Sequence, residues 1–137
     1  MQVRDLRAEA RERHQPLKKA GKALKHAAAE TELADALEQV SAALAAHIAL
    51  TEGPNGLHAE LLAAAPRLAN DIRLLAEDHD FMERLVDSTG LALRSRPTDQ
   101  QVIDDRVNRL LDRISRHRVR DAEIVYEAYQ VDIGGQA

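Results

Sequence analysis

The chain contains no cysteine. Disulfides, thiolate zinc sites, iron–sulfur clusters and cysteine nucleophiles are therefore excluded. Aromatic residues are almost missing: Phe81, Tyr126 and Tyr129 make up 2% of the chain, and there is no Trp. A core must then be built from Leu, Ala, Ile and Val, and the shortage of strand-forming residues favours helix over sheet. The most apolar stretch, residues 40–50, reads as too short to span a bilayer and carries His47. Residues 1–13 are charged throughout, so no signal peptide is expected and a cytoplasmic location is the default. An excess of positive charge is also lacking. The formal net charge of −4 argues against nucleic acid as a partner. Residues 106–120 hold six Arg, but these alternate with Asp and apolar residues, as on a solvated helix face.

What is present suits one helical domain. A chain of 137 residues fits a single domain over 1–137, able to bury a core without staples. Charged residues of mixed sign, at 31%, suit long solvated helix faces. Helix punctuation is clear. A first helix is expected over about 3–29, with Pro16 kinking it or marking a restart. Thr31 is placed to cap a second helix over about 32–51. Gly53-Pro54-Asn55-Gly56 is the strongest break, followed by a short helix over 57–65. Pro66 can open a third long helix ending near Thr89-Gly90, with Gly90 at the position after the C-cap. After a connector at 94–97, Thr98 is placed to cap a fourth helix that runs to about 131, before Gly134-Gly135. Four long amphipathic segments with short links predict an all-α, up-down-up-down four-helix bundle.

The apolar stripes of these helices are interrupted by polar residues. Steps of three and four give Ile103, Val107, Leu110 and Ile114, then His117, Asp121, Ile124 and Ala128. The same reading gives Leu68, Ile72 and Leu75 before His79, Met82 and Val86. It gives Leu33, Leu37, Val40 and Leu44 before His47 and Thr51, and Val3, Leu6 and Ala10 before His14, Leu17, Gly21 and Leu24. Four of the six histidines, one per long helix, thus fall on core-facing positions. His26 and His58 do not, and are expected at the surface or in a loop. His14, His79 and His117 lie at similar distances from the helix ends that an up-and-down bundle would bring together. His47 joins that level only if the segment after Gly53 continues its helix's direction.

Several imidazoles converging in a dry interior cannot all be satisfied by one carbonyl or water, unless a cation or carboxylates join them. Neutral imidazole is a common metal ligand and carboxylates balance the charge. His47, His79 and His117 are the strongest candidates, with His14 weaker because Pro16 disturbs its helix. Asp121 follows His117 by four residues, and Glu83 follows His79 at the same spacing. Glu52 and Glu123 are further candidate oxygen ligands. Tyr126 and Tyr129 could hydrogen-bond near such a site, though tyrosines so placed more often pack.

These segments resemble the hemerythrin-like (HHE cation-binding) family across roughly residues 40–135. His47-Ile-Ala-Leu-Thr-Glu-Gly-Pro-Asn-Gly-Leu resembles the family's second-helix His-x-x-x-Glu region and the turn after it. Ala65-Pro66-Arg67-Leu68 followed by Glu77-Asp78-His79 resembles its third-helix histidine region. His117-Arg-Val-Arg-Asp-Ala-Glu-Ile-Val-Tyr-Glu-Ala-Tyr and the continuation Gln130-Val-Asp-Ile-Gly-Gly resemble the last-helix motif of bacterial members. The resemblance implies a four-helix bundle around non-haem iron, mono- or dinuclear. It also implies dioxygen, nitric oxide or peroxide as small ligand, in sensing, storage or detoxification. The chain departs from the pattern in three places. Thr51 stands where a Glu is expected, leaving Glu52 one position late. Glu83 stands where oxygen carriers have a second His, and His14 is only a loose match to the first-helix His. A reduced or vestigial site is therefore as compatible as a full di-iron centre.

A rival reading is a metal-free helical interaction module that has lost its ligands. A ferritin-like di-iron oxidase ranks low, because the chain contains no Glu-x-x-His. No catalytic constellation is legible either: Ser41, Ser88, Ser95 and Ser115 lack telling context.

Overall fold

The computed structural model describes residues 4–134, with side chains described through residue 129. Val3, Gly135 and the side chains of 130–134 lie outside the described residues. The described residues form five α-helices and no strand: α1 (Leu6–His26), α2 (Glu30–Glu52), the short α3 (Leu57–Ala64), α4 (Ala69–Arg94) and α5 (Gln100–Gly134). A 3-10 turn, Pro66–Leu68, precedes α4.

Local chemistry sets most helix ends, at positions slightly different from those expected. Asp5 caps α1, its side chain accepting from the Ala8 amide at 3.0 Å. Pro16 lies inside α1 without ending it. Helix α2 begins at Glu30 rather than after Thr31, and its N-cap Ala29 offers no side-chain bond. Glu32 instead accepts from the Ala28 amide at 3.3 Å, so the acid three residues in ties down the entering backbone. Helix α4 runs through Gly90 to Arg94. It continues because Ala92 and Leu93 are good helix formers that reach the core. The stop falls just before the Arg96-Pro97 bond, where the residue ahead of proline disfavours helix. Asp99, not Thr98, caps α5, accepting from the amides of Gln101 and Val102 at 3.1 and 3.2 Å.

The long helices pack in a ring, α1 on α2, α2 on α4, α4 on α5 and α5 back on α1. Side-chain links show their directions. Arg96 after α4 pairs with Glu30 at the start of α2, and Arg106 early in α5 reaches Ser88 late in α4. Arg13 in the first half of α1 pairs with Asp121 in the second half of α5. Neighbouring long helices therefore run antiparallel.

The interior is split into two apolar clusters. The larger holds Leu17, Leu24, Val40, Leu44, Met82, Ile103, Leu110 and Ile114. The smaller holds Leu61, Leu68, Ile72, Leu75, Ile124 and Val125. Along α4 the order is Leu75, His79, Met82; along α5 it is Ile114, His117, Ile124. Both helices thus pass from one cluster to the other through a polar layer. Helix α2 ends just past that layer, and α3 supplies Leu61 to the smaller cluster in its place. The 30–64 stretch is apolar enough by length and composition to cross a membrane, contrary to the reading of residues 40–50 alone. Its apolar character owes much to alanine, and Leu33, Leu37, Val40 and Leu44 face the bundle interior.

Candidate metal centre

Each of the four long helices sends one histidine into the polar layer. His79 and His117 are fully buried, and His47 and His14 retain 4% and 5% exposure. One ring nitrogen from each of His47, His79 and His117 lies within 4.8 Å of the other two. His117 Nε2 is the hub, 3.1 Å from His79 Nε2 and 3.3 Å from His47 Nε2.

The far sides of two of these rings decide what the near sides carry. His79 Nδ1 donates to Glu52 Oε2 at 2.5 Å, and His117 Nδ1 donates to Asp78 Oδ2 at 3.2 Å. A carboxylate accepts and does not donate, so in each neutral ring the proton sits on Nδ1 and Nε2 carries a bare lone pair. The 3.1 Å contact then sets two acceptors face to face in a dry interior. Burial, with His79 and His117 adding, holds the His47 pKa down at about 3. Burial and His79 likewise hold His117 at about 4, against the opposing effect of its hydrogen bond to Asp78. A second proton on His47 or His117 is thus disfavoured near neutrality, and a positive charge at the focus would resolve the clash. Nitrogens bound about 2.0–2.2 Å from one ion stand about 3.0–3.5 Å apart, as the two contacts of His117 do, while the His47 and His79 nitrogens lie within 4.8 Å of each other. Carboxylates on the outer nitrogens are the usual support for metal-bound imidazoles.

The other candidates divide. Glu52 sits one place beyond the expected acid position and reaches His79 from outside the cluster. Thr51 is buried, and its hydroxyl donates to the His47 carbonyl at 2.8 Å. Asp121 is fully buried but faces α1: Arg13 forms an ion pair with its Oδ1, and His14 Nε2 stands 3.1 Å from the same atom, off hydrogen-bonding angle. His14 stays in the layer, its ring centroid 5.8 Å from that of His47. Glu83 and Glu123 are both exposed and join none of these contacts. The stripe on α4 steps by three from His79 to Met82, which turns Glu83 outward; on α5 it steps by four from His117, which turns Asp121 inward. Glu123 and Tyr126 line a surface groove between α1 and α5. Tyr129 donates to Glu60 at 2.6 Å and carries Arg4 over its ring.

Three residues of the layer were not anticipated. Asp78, buried, gathers His117, Arg113 and Arg120 on its two oxygens. The spacing held a signal, because Leu75, Asp78 and Met82 step by three and four. His58, expected at the surface, is buried with its ring stacked on His79, centroids 5.6 Å apart and planes 10° from parallel. Its own stripe, His58, Leu61 and Ala65, was legible once the short helix was granted. Burial lowers its pKa, with His79 adding to the effect. Arg13 precedes His14 and had no periodic signal. Buried atoms without a hydrogen-bond partner remain around this layer: His14 Nε2, His47 Nδ1, His58 Nε2, Arg13 Nε and Asp121 Oδ2. His26 is exposed, as expected.

Fold and site together define an all-α bundle crossed by a buried histidine–carboxylate layer. No protein-family model, curated protein or solved structure matches the chain.

Proposed function

We propose that this chain is a hemerythrin-like metal-binding protein whose centre is held by His47, His79 and His117. Iron is the cation the resemblance implies, and three protein nitrogens leave coordination positions for dioxygen, nitric oxide or peroxide. Binding or sensing such a ligand, rather than turnover, is the proposed role, in the cytoplasm. The observation that carries this reading is the meeting of three Nε2 atoms, two of them on rings whose Nδ1 donates to Glu52 or Asp78, so that Nε2 is the acceptor of each neutral ring. Glu52 and Asp78 orient His79 and His117 from outside. Asp121, neutralised by Arg13, is not assigned to the ion, which favours a reduced, single-ion centre over a dinuclear one.

A metal-free interaction module is the second reading. It is favoured by the Arg13–Asp121 pair, by the Thr51 hydroxyl turned back on its own helix, and by the outward-facing Glu83 and Glu123. Elemental analysis with an absorption spectrum of freshly purified protein separates the two. Near one equivalent of iron with charge-transfer bands supports the first. Iron below about a tenth of an equivalent after reconstitution, with unchanged melting temperature, supports the second.

A further inference from the structure

The four lysines of the chain, Lys18, Lys19, Lys22 and Lys25, fall in one stretch of α1, and no acid occurs between Glu12 and Glu30. Two adjoining cavities open between this stretch and α5. One, of about 270 Å³, is lined by Arg11, Lys18 and Arg118. The other, of about 440 Å³, shares Lys18 and Arg118 and adds Lys22 and Lys25. No carboxylate lines either cavity. Among the described residues, none of Arg11, Lys18, Lys22, Lys25 and Arg118 forms an ion pair.

A solvated lysine face would explain exposed ammonium groups. It would not explain Arg118 Nε, a donor that is buried without an acceptor. Nor would it explain Gly21 on the cavity floor. A glycine inside a helix is destabilising relative to alanine. Here a Cβ would meet only Leu111 Cδ2 at 3.6 Å and Ile114 Cδ1 at 3.9 Å, which are ordinary contacts. Packing does not demand the glycine; its missing side chain keeps the cavity open over an apolar floor.

We propose that the α1–α5 groove binds a small organic anion carrying two or more phosphates. Lys18, Lys22 and Arg118 hold the phosphates, and the Gly21, Leu111 and Ile114 floor receives the ligand's ring. Cavities of this size suit a small molecule. A net charge of −4 disfavours a long polyanion, whose charge would extend beyond the groove. The proposal is independent of the metal centre.

The test is calorimetric titration of the metal-free full chain, in EDTA, with inorganic pyrophosphate, ATP and adenosine. Saturable binding of pyrophosphate and ATP is expected, with ATP tighter, adenosine silent, and both affinities falling as salt is raised. Lys22→Glu combined with Arg118→Gln should weaken ATP binding by about tenfold or more. Gly21→Leu, which changes no charge, should weaken ATP more than pyrophosphate. If the double variant misfolds by circular dichroism, Lys22→Glu alone, at an exposed position, carries the comparison. No saturable binding of either phosphate, unchanged affinity in the charge variant, or binding of heparin but not pyrophosphate would overturn the proposal.

Discussion

His79 Nε2 lies 3.1 Å from His117 Nε2, and each ring is backed by a carboxylate on its other nitrogen. Two lone pairs so placed repel unless a positive charge lies between them. The relationship makes the centre testable by removing either ring. His117→Ala is expected to abolish uptake of added divalent metal, while His26→Ala, at an exposed position, leaves it intact. Metal at about a hundred times its Kd should stabilise the parent by about 2.7 kcal/mol and the His117 variant not at all. Elemental analysis and calorimetric melting give both readouts; equal uptake in the two variants would defeat the site.

The outer carboxylates should tune the centre without being ligands. Glu52→Gln and Asp78→Asn are each expected to lower metal affinity by about 10–100-fold while leaving the stoichiometry unchanged. Competition with a chromophoric chelator measures this. Affinities equal to the parent's would mean the imidazoles need no such support.

Acid should destabilise the metal-free protein over a defined window. His47 and His117 titrate at about 3 and about 4 in the fold, against 6.5 for an ordinary histidine. Below pH 6.5 the unfolded chain therefore takes up protons that the fold refuses, and stability drops until pH 4 to 3. The combined effect is of the order of several kcal/mol, and it vanishes above pH 6.5. Asp121 does not offset it. Burial opposes its charge, but His14 and Arg13 prevail and hold its pKa below the usual carboxylate range, so its contribution survives until the pH falls below about 3.8. Urea unfolding in EDTA at pH 7.5, 6 and 4.5 gives the curve; equal stability at all three would contradict the buried neutral imidazoles.

Arg13→Ala leaves the fully buried Asp121 carboxylate with only His14 beside it, at an expected cost of about 3–5 kcal/mol. The double variant Arg13→Met with Asp121→Leu should recover most of that loss, since an apolar pair of similar volume needs no partner. Denaturant midpoints of the three proteins decide. A single-variant loss under about 1 kcal/mol would mean that water already carries the charge.

The polar positions themselves were readable along the chain. His14, His47, His79 and His117 interrupt stripes whose period is local, so their burial follows from helix geometry and the need to cover apolar faces. Glu83 shows where that reading fails: at the same four-residue spacing as Asp121, it turns outward because its helix steps by three at that point. A difference of one residue rotates a side chain by about 100°, and spacing alone does not choose between the two steps.

Length, alanine and leucine content, and the placement of glycine and proline are enough to dictate a small helical protein with imidazoles facing inward, because each of these acts through neighbours a few residues away. The meeting of three Nε2 atoms at one height depends on the rotation and axial offset of separate helices, which only packing sets. The same packing lets α3 complete the smaller core after α2 ends, stacks His58 on His79, and matches Asp78 to His117 and Arg13 to Asp121. Those partners lie 21, 39 and 108 residues apart in the chain, too far for any local pattern to anticipate.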